Sequence, residues 1–282
     1  MIRFDVTMPE YLAMDALSSG VAHRAIYQSP LHALNSKLVR DSNTATNKGE
    51  IFHRLLLEGH EEGLVLVDAP DWRTKAAKET REAAYAAGAI PLLAHEIDGI
   101  RAMVQTAEQF IERSEIAETF KHGAPEVTVD WDDDGVKCKA RPDLLSDKFH
   151  VSVKTTAVIA GANPASWARR QLTPMGYDFS LAFYDRGLRK NGVEVEHRIL
   201  VVEQNKPWGA CVLSLSPSKA AIAEADVERA ISLWRRCEKE NYFPSYDPRT
   251  IEIEPTPWEL AEAETRDLLE DEFQDLGAAI CQ

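Results

Sequence analysis

The sequence lacks any apolar run close to the ~18 consecutive residues that a membrane-spanning helix needs, so no membrane segment is predicted in its 282 residues. The N-terminal string MIRFDVTMPEYL also lacks the basic and then apolar layout of a secretory signal. We therefore expect a cytoplasmic protein. The length fits one large domain, or one domain with a helical extension.

Cysteine is scarce, and no two cysteines lie close together in the chain. The four are Cys138, Cys211, Cys237 and Cys281, without a C-x-x-C pair. Structural zinc sites and iron–sulfur clusters draw on closely spaced cysteines, so the spacing indicates neither. Separated cysteines in a reducing compartment are expected to be free thiols.

Positive charge is in deficit, with 32 Lys and Arg against 46 Asp and Glu and a net charge of −14. Because contacts to phosphate depend on Lys and Arg, this balance excludes indiscriminate coating of nucleic acid. It is compatible with a nuclease, since a metal site needs carboxylates and a few basic residues can line a channel. The candidates for such a lining are Lys48, Arg54, Arg141, Arg169 and Arg170.

The most informative stretch is ARPDLLSDKFHVSVKTT, residues 140–156. Val, Phe and Thr between turn residues predict two strands of a hairpin, with Asp143 on one strand and Lys154 on the other. A carboxylate that can bind a divalent metal, beside a lysine, is the minimum for metal-assisted hydrolysis of a phosphodiester. Without further context, an ordinary surface hairpin would be the preferred interpretation.

Two upstream segments add candidates to this hairpin. The string KGEIFHRLLLEG, residues 48–59, predicts an amphipathic helix that ends at Gly59 and carries Gly49 and His53 on one face. Strands are predicted at Glu126–Trp131 and Val136–Ala140, joined by the acidic turn DDDG. This turn lacks the twelve-residue pattern of a calcium loop. A single helical histidine is usually structural, so His53 gains weight only together with the other candidates.

The rest of the chain is predicted to be largely helical. We expect helices over Pro9–Ser19, from Pro30, twice within residues 71–118 with a break near Gly88–Pro91, and over Pro164–Gln171, Pro174–Lys190 and Ser218–Tyr242, with Ser218 as a cap. Residues 40–48 are predicted to form a loop, and Glu194–Gln204 and Gly209–Leu215 to form strands. The chain is thus predicted to be a single domain with an N-terminal helical part, 1–120, and an acidic helical tail, 256–282.

The order of these pieces resembles the PD-(D/E)xK nuclease superfamily. A helical G-x-x-x-H is followed by a strand glutamate, by R-P-D, by x-x-K-T-T, and by a helix with Y-D-x-S-x-A-F-Y. Within the superfamily the chain is similar to the RecE-like, exonuclease VIII-type group of phage and prophage exonucleases, from Tyr11 to Tyr242. The resemblance implies an α/β fold with a central mixed twisted β-sheet flanked by helices, as in the restriction-endonuclease core.

The resemblance also implies a role for each matched residue. His53, Asp143 and the backbone carbonyl of Val153 would bind a divalent metal, Mg²⁺ or Mn²⁺, with Glu126 as an outer-shell or second-metal carboxylate. Lys154 would orient and help to deprotonate the attacking water, or stabilise the charge of the transition state. The residues implied at the substrate are Tyr177, Ser180, Tyr184 and Arg141.

Two positions depart from the family pattern. Ser152 stands where the motif has its second acid, and Ser180 stands where the family's helix has a glutamine. A hydroxyl binds Mg²⁺ far more weakly than a carboxylate, so weak metal binding is expected. Asp147 or Glu50 is the candidate acid for compensation. Because strand side chains alternate, Ser152 is predicted to face the pocket on the same side as Lys154.

These residues lead to different functional hypotheses. The first is an exonuclease that digests one strand from duplex DNA ends in recombination, as a homo-oligomer that works with a single-strand annealing protein. The second is a catalytically impaired relative that binds DNA ends or a recombination partner without cutting. A metal-free scaffold that mimics DNA with its acidic surface is a third and weaker hypothesis, which metal titration would separate from the first.

Overall fold

The computed structural model describes residues 1–38, 44–157, 159 and 163–280. The chain forms two compact units, Met1–Ser245 and Tyr246–Gln282. The assignment of a single domain with a helical tail stays a prediction. In the described part of the chain, no helix combines the length and the apolar character that crossing a bilayer requires. Cys138, Cys211 and Cys237 are buried free thiols, and Cys281 lies outside the described residues.

The first unit alternates helices and short strands, and the second contains one helix. The helices are α1 Met8–Ala13, α2 Ser19–Tyr27, α3 Pro30–Leu38, α4 Thr44–Glu58, α5 Lys75–Ala86, α6 Ile97–Ile111, α7 Ala117–His122, α8 Pro164–Gln171, α9 Tyr177–Lys190, α10 Pro217–Glu240 and α11 Pro257–Ile280. The strands are β1 Ile2–Arg3, β2 Leu17–Ser18, β3 Leu64–Val67, β4 Ile90–Leu93, β5 Ala124–Pro125, β6 Thr128–Asp133, β7 Val136–Ala140, β8 Leu144–Leu145, β9 Phe149–Thr156, β10 Glu196–Glu203 and β11 Ala210–Leu213.

The strands form two larger mixed sheets and one pair. The first sheet has the order β1-β6-β7-β2 and is antiparallel apart from the parallel pair β2–β7. The second has the order β11-β10-β9-β8-β5 and is antiparallel apart from the parallel pair β9–β10. Strands β3 and β4 pair in parallel. The predicted α/β class, with mixed sheets flanked by helices, is confirmed.

Helices cover both faces of the second sheet. Val151 and Val153 of β9 pack in one apolar cluster with α4 and α6. On the other face, α8 and α9 pack against β10 through residues such as Ile199, the register partner of Ser152. Because side chains alternate along a strand, Ser152 and Lys154 of β9 face the α9 side. The predicted orientation of Ser152 is therefore confirmed.

Helix α9 contacts the cores of both sheets. Phe183 belongs to the cluster under the first sheet, and Leu181 to the cluster under the second. Gly187 lets the helix approach the first sheet, since a Cβ there would lie 2.5 Å from Cζ3 of Trp131. The helix is therefore fixed between the two sheets.

Several predicted boundaries are wrong. Helix α4 begins at Thr44, so the loop predicted over 40–48 is wrong from that residue onward. Residues 40–43 of this prediction lie outside the described residues. Helix α1 ends at Ala13, and in the rest of the helix predicted up to Ser19, Leu17 and Ser18 form β2 and Ser19 begins α2. Helix α9 begins at Tyr177, after a left-handed Gly176.

Two further differences concern short elements. Strand β4 occupies the break predicted between two helices and pairs with β3, and neither strand is predicted from the sequence. Helix α10 begins at Pro217 and is capped by Ser216, whose hydroxyl accepts a hydrogen bond from the Lys219 amide, and not by Ser218. Proline fits the first helical position, so the residue before it becomes the cap.

Candidate metal and catalytic site

Asp143 lies in a bend directly before β8 of the β8–β9 hairpin, and not on a strand as predicted. One of its carboxylate oxygens, Oδ2, accepts hydrogen bonds from the Ser152 hydroxyl at 3.0 Å, the Val153 amide at 2.6 Å and the Lys154 ammonium at 3.2 Å. The other oxygen, Oδ1, lies 3.5 Å from Nε2 of His53 on α4. Strand β9 thus fixes the carboxylate and leaves one oxygen turned toward the helix above it.

Glu126 approaches the same histidine from the other side, with Oε1 at 3.4 Å from Nδ1 of His53. It lies in the bend between β5 and β6, and not on a strand as predicted, with φ at 53°. This left-handed conformation costs a non-glycine residue about 1–2 kcal/mol. Hydrogen bonds offset the cost: the Glu126 amide donates to the Asp143 carbonyl at 3.0 Å, and Nε of Arg141 donates to Oε2 at 2.6 Å.

Arg141 anchors this corner of the site. Besides Glu126, it donates from Nη1 to the Val6 carbonyl at 2.8 Å and to the Thr128 hydroxyl at 2.9 Å, and its side chain is 11% exposed. These bonds hold the guanidinium against the protein. Contact between Arg141 and a substrate stays a prediction.

The residues present fit a divalent cation. His53, Glu126 and Asp143 each offer one ligand atom, and these atoms all lie within 4.8 Å of one another. Metal–oxygen bonds of about 2.1 Å place opposite ligands of one ion about 4 Å apart. The Val153 carbonyl lies close to Asp143, because Nζ of Lys154 donates both to this carbonyl, at 3.0 Å, and to Oδ2 of Asp143. One nitrogen and several oxygen ligands suit Mn²⁺ or Mg²⁺.

The charges of the cluster depend on one another. Burial raises the pKa of Asp143, but the neighbouring Lys154 and the hydrogen bond to His53 outweigh it and hold that pKa well below its usual range. Burial lowers the pKa of His53, yet its contacts with Asp143 and Glu126 raise it overall. Burial raises the pKa of Glu126 despite His53 and Arg141. Asp143 is therefore the group that keeps its negative charge most firmly.

Two cavities meet at His53. The first, of ≈ 360 Å³, is lined by Gly49, Glu50, Phe52, His53, Val153, Lys154, Thr155 and Tyr177. The second, of ≈ 530 Å³, is lined by Thr7, Met8, Tyr11, Glu50, His53, Arg54, Glu58, Glu126, Arg141, Asp143 and Tyr184. The two tyrosines predicted on one face of α9 therefore open into one cavity each. Ser180, between them, lines neither.

Of the two acids considered as compensation for Ser152, the structure places one near the site and the other far from it. Asp147 lies in the turn of the β8–β9 hairpin, at the end away from Lys154, and lines another cavity with Glu118. Glu50 lies one turn before His53 on α4 and lines both cavities of the site. Asp147 is therefore too far along the hairpin to take part.

The predicted basic lining is confirmed in part. Arg54 and Arg141 line the second cavity. Lys48 lies outside both cavities and pairs with Glu96 at 2.7 Å. Arg169 and Arg170 are exposed on α8 and line neither cavity. Helical spacing alone does not tell which face of α8 is turned toward the site.

A buried histidine pair behind the site is not predicted from the sequence. Nδ1 of His150 lies 2.9 Å from Nδ1 of His197 on β10, and Nε2 of His197 lies 3.0 Å from Asp185. The available signal is the alternation along β9, which puts His150 on the same side as Ser152 and Lys154. The pairing of His150 with His197, 47 positions away, cannot be predicted from any pattern in the sequence.

This pair gives the protein a predicted pH dependence. Burial, and then repulsion from His197, lower the pKa of His150 to about 3, whereas a histidine in an unfolded chain has a pKa of about 6.5. Below that pH the unfolded chain binds a proton that the folded protein does not. The contribution of neutral His150 to the free energy of unfolding is present in full above about pH 6.5. It is lost as the pH falls below that value, by up to about 1.4 kcal/mol per pH unit.

Denaturant unfolding at about pH 7 and about pH 5 measures the effect. The substitution His150→Leu is expected to remove about 2 kcal/mol of the difference between the two conditions. His122→Leu, at a side chain that is 75% exposed, is the matched control and is expected to leave the difference unchanged. If His150→Leu keeps the full pH dependence of the native chain, the assignment to His150 is wrong.

Fold and site together define the class of protein: a PD-(D/E)xK-type domain with a carboxylate, histidine and lysine site. The chain belongs to the family described as a PDDEXK-like domain of unknown function (DUF3799), whose model matches residues 22–251. Membership of the superfamily predicted from the sequence is thereby confirmed. The narrower RecE-like assignment stays a prediction.

The structure is similar to a crystal structure described as a "putative exonuclease" from Eubacterium rectale. The two share 13% identity with a TM-score of 0.53, over 92% of this chain and 98% of that chain. At this identity the similarity shows the fold. No curated protein matches the sequence. Family and fold together support a nuclease.

Proposed function

We propose that this protein is a divalent-metal-dependent DNA exonuclease that acts on duplex ends. The observation that carries the proposal is the convergence of His53, Glu126, Asp143 and Lys154, from four separate segments, on the junction of two cavities. The description of the similar structure as a "putative exonuclease" supports action from an end. The RecE-like order of the motifs supports a role in recombination beside a single-strand annealing protein, in a homo-oligomer.

Each residue has a distinct part in the proposed reaction. His53, Glu126, Asp143 and the Val153 carbonyl would hold Mg²⁺ or Mn²⁺, which would supply Lewis acidity and an activated water when bound. The Lys154 ammonium lies at 3.2 Å from Asp143 and lines the first cavity. There it orients the attacking water and stabilises the negative charge of the transition state.

The two tyrosines of α9 support a proposed path for the DNA. Tyr177 lines the first cavity and has its ring 5.7 Å from Nζ of Lys154. Tyr184 lines the second cavity, which Arg54 also lines. We propose that the scissile strand runs along both cavities and passes His53 at their junction.

A comparison of linear and covalently closed circular duplex DNA tests the proposal. With Mn²⁺ or Mg²⁺, the end-labelled linear duplex is expected to be shortened from its ends, while the closed circle stays intact. Asp143→Asn is the inactive control, since it removes the charge from the best-fixed carboxylate. Cleavage of the circle would show an endonuclease instead.

Ser152 favours a second candidate function, a DNA-end-binding protein without cleavage, because the position of the motif's second acid carries no charge. In that case the linear duplex is bound but not shortened. Binding would weaken with added salt, with a log–log slope of about 0.9 for each neutralised phosphate. A gel-shift titration at several salt concentrations, beside the cleavage assay, distinguishes the two functions.

A further inference from the structure

We propose that Glu50 supplies, through a bound water, the carboxylate that position 152 lacks toward the metal. The inference rests on the proposed metal-dependent function and adds one residue to its site. The ligand of this site is a hydrated divalent cation, held by His53, Glu126 and Asp143.

Ser152 does not provide this charge. Its side chain is 5% exposed, and its hydroxyl is turned into the site as a donor to Oδ2 of Asp143. It therefore positions the neighbouring carboxylate and adds no negative charge. Hard cations favour charged oxygen ligands and keep several waters, so the charge must come from a group that those waters can reach.

Glu50 has the position for this role. Of the described residues, only Glu50 and His53 line both cavities. The first cavity is lined by Lys154, and Glu50 is the only acid among its described lining residues. For a water held between His53 and Lys154, the Glu50 carboxylate is therefore the acidic acceptor among the described residues that line this cavity.

The local structure leaves Glu50 free to turn. It lies three residues before His53, so both project from one face of α4. Its side chain is 51% exposed, and its ion pair with Arg54 is long, at 3.9 Å. Its carboxylate is not part of the cluster formed by His53, Glu126 and Asp143. Contact with the ion therefore runs through water.

Manganese binding without DNA tests the proposal, with the free Mn²⁺ measured by electron paramagnetic resonance. Glu50→Gln is expected to weaken binding by about 10–100-fold, the usual effect of losing a group that supports a metal from beyond its direct ligands. The metal-free melting temperature is expected to stay unchanged. Glu118→Gln is the matched control, because Glu118 is also a helical glutamate but lines another cavity, with Asp147. It is expected to keep the native affinity.

A rescue experiment completes the test. In the Glu50→Gln background, Ser152→Asp is expected to restore the native affinity for Mn²⁺. Native affinity in Glu50→Gln, or equal losses in Glu50→Gln and Glu118→Gln, would overturn the role of Glu50. The proposed function fails separately: if the native chain binds Mn²⁺ through Glu50 but never cuts DNA, the metal site stands and the nuclease does not.

Discussion

Lys154→Ala is expected to lower the rate of duplex cleavage by about 10²–10⁴-fold, the usual cost of losing a group that moves a proton or stabilises transition-state charge. The Lys154 ammonium donates to both Asp143 and the Val153 carbonyl, so it lies beside the proposed ligands and not among them. Removal of its positive charge does not weaken the attraction of the site for a cation. Metal affinity is therefore expected to stay at the native value or to rise.

The split between affinity and rate makes the measurement specific. Single-turnover cleavage of an end-labelled duplex gives the rate, and Mn²⁺ titration of the same variant gives the affinity. Lys148→Ala is the matched control, since Lys148 lies in the turn of the same hairpin, at the other end from the site. If Lys154→Ala loses metal binding and cleavage together, Lys154 maintains the structure of the metal site and has no direct part in the reaction.

Ser152→Asp is expected to have the opposite effect: Mn²⁺ binding tightens by about 10–100-fold and the cleavage rate rises. The hydroxyl of Ser152 lies 3.0 Å from Oδ2 of Asp143 in a buried position, so the variant places two carboxylates side by side. Without metal, these like charges repel each other in a poorly solvated site. The metal-free variant is therefore expected to unfold at a lower temperature than the native chain.

Thermal unfolding with and without Mn²⁺ separates these effects. Because a ligand stabilises the state that binds it, the rise in melting temperature on adding Mn²⁺ is expected to be larger in Ser152→Asp than in the native chain. Ser152→Asn is the neutral control of similar size and is expected to gain no metal affinity. If the native chain already cuts duplex DNA rapidly, and Ser152→Asp changes neither the Mn²⁺ affinity nor the cleavage rate, the prediction is wrong. Another acid then already replaces the missing carboxylate in full.

Local patterns predict the parts of the site that depend on neighbouring residues. The helix that ends at Gly59 carries His53 as expected, and the hairpin places Asp143 beside Lys154. The orientation of Ser152 follows from the period of two along β9. These features depend on helix and strand geometry, which adjacent residues determine.

Short elements are harder to predict because they carry little periodicity. Strands β3 and β4 have four residues each, LVLV and IPLL, and such apolar runs fit a strand or a buried helical turn equally well. Pro91 within β4 also argues against a strand. The bend that gives Glu126 a positive φ has no pattern at all, since it is held by the Asp143 carbonyl and by Arg141.

The sequence by itself determined the order of the longer elements around the site, the superfamily, and which of the named side chains share a face of α4, β9 or α9. Only the tertiary structure decided which acid is near the site, Glu50 and not Asp147, and which arginine anchors Glu126. It also decided that His150 meets His197 across two parallel strands. The physical reason is that contacts between distant segments depend on how whole sheets and helices pack, whereas repeating patterns record only the geometry of one segment.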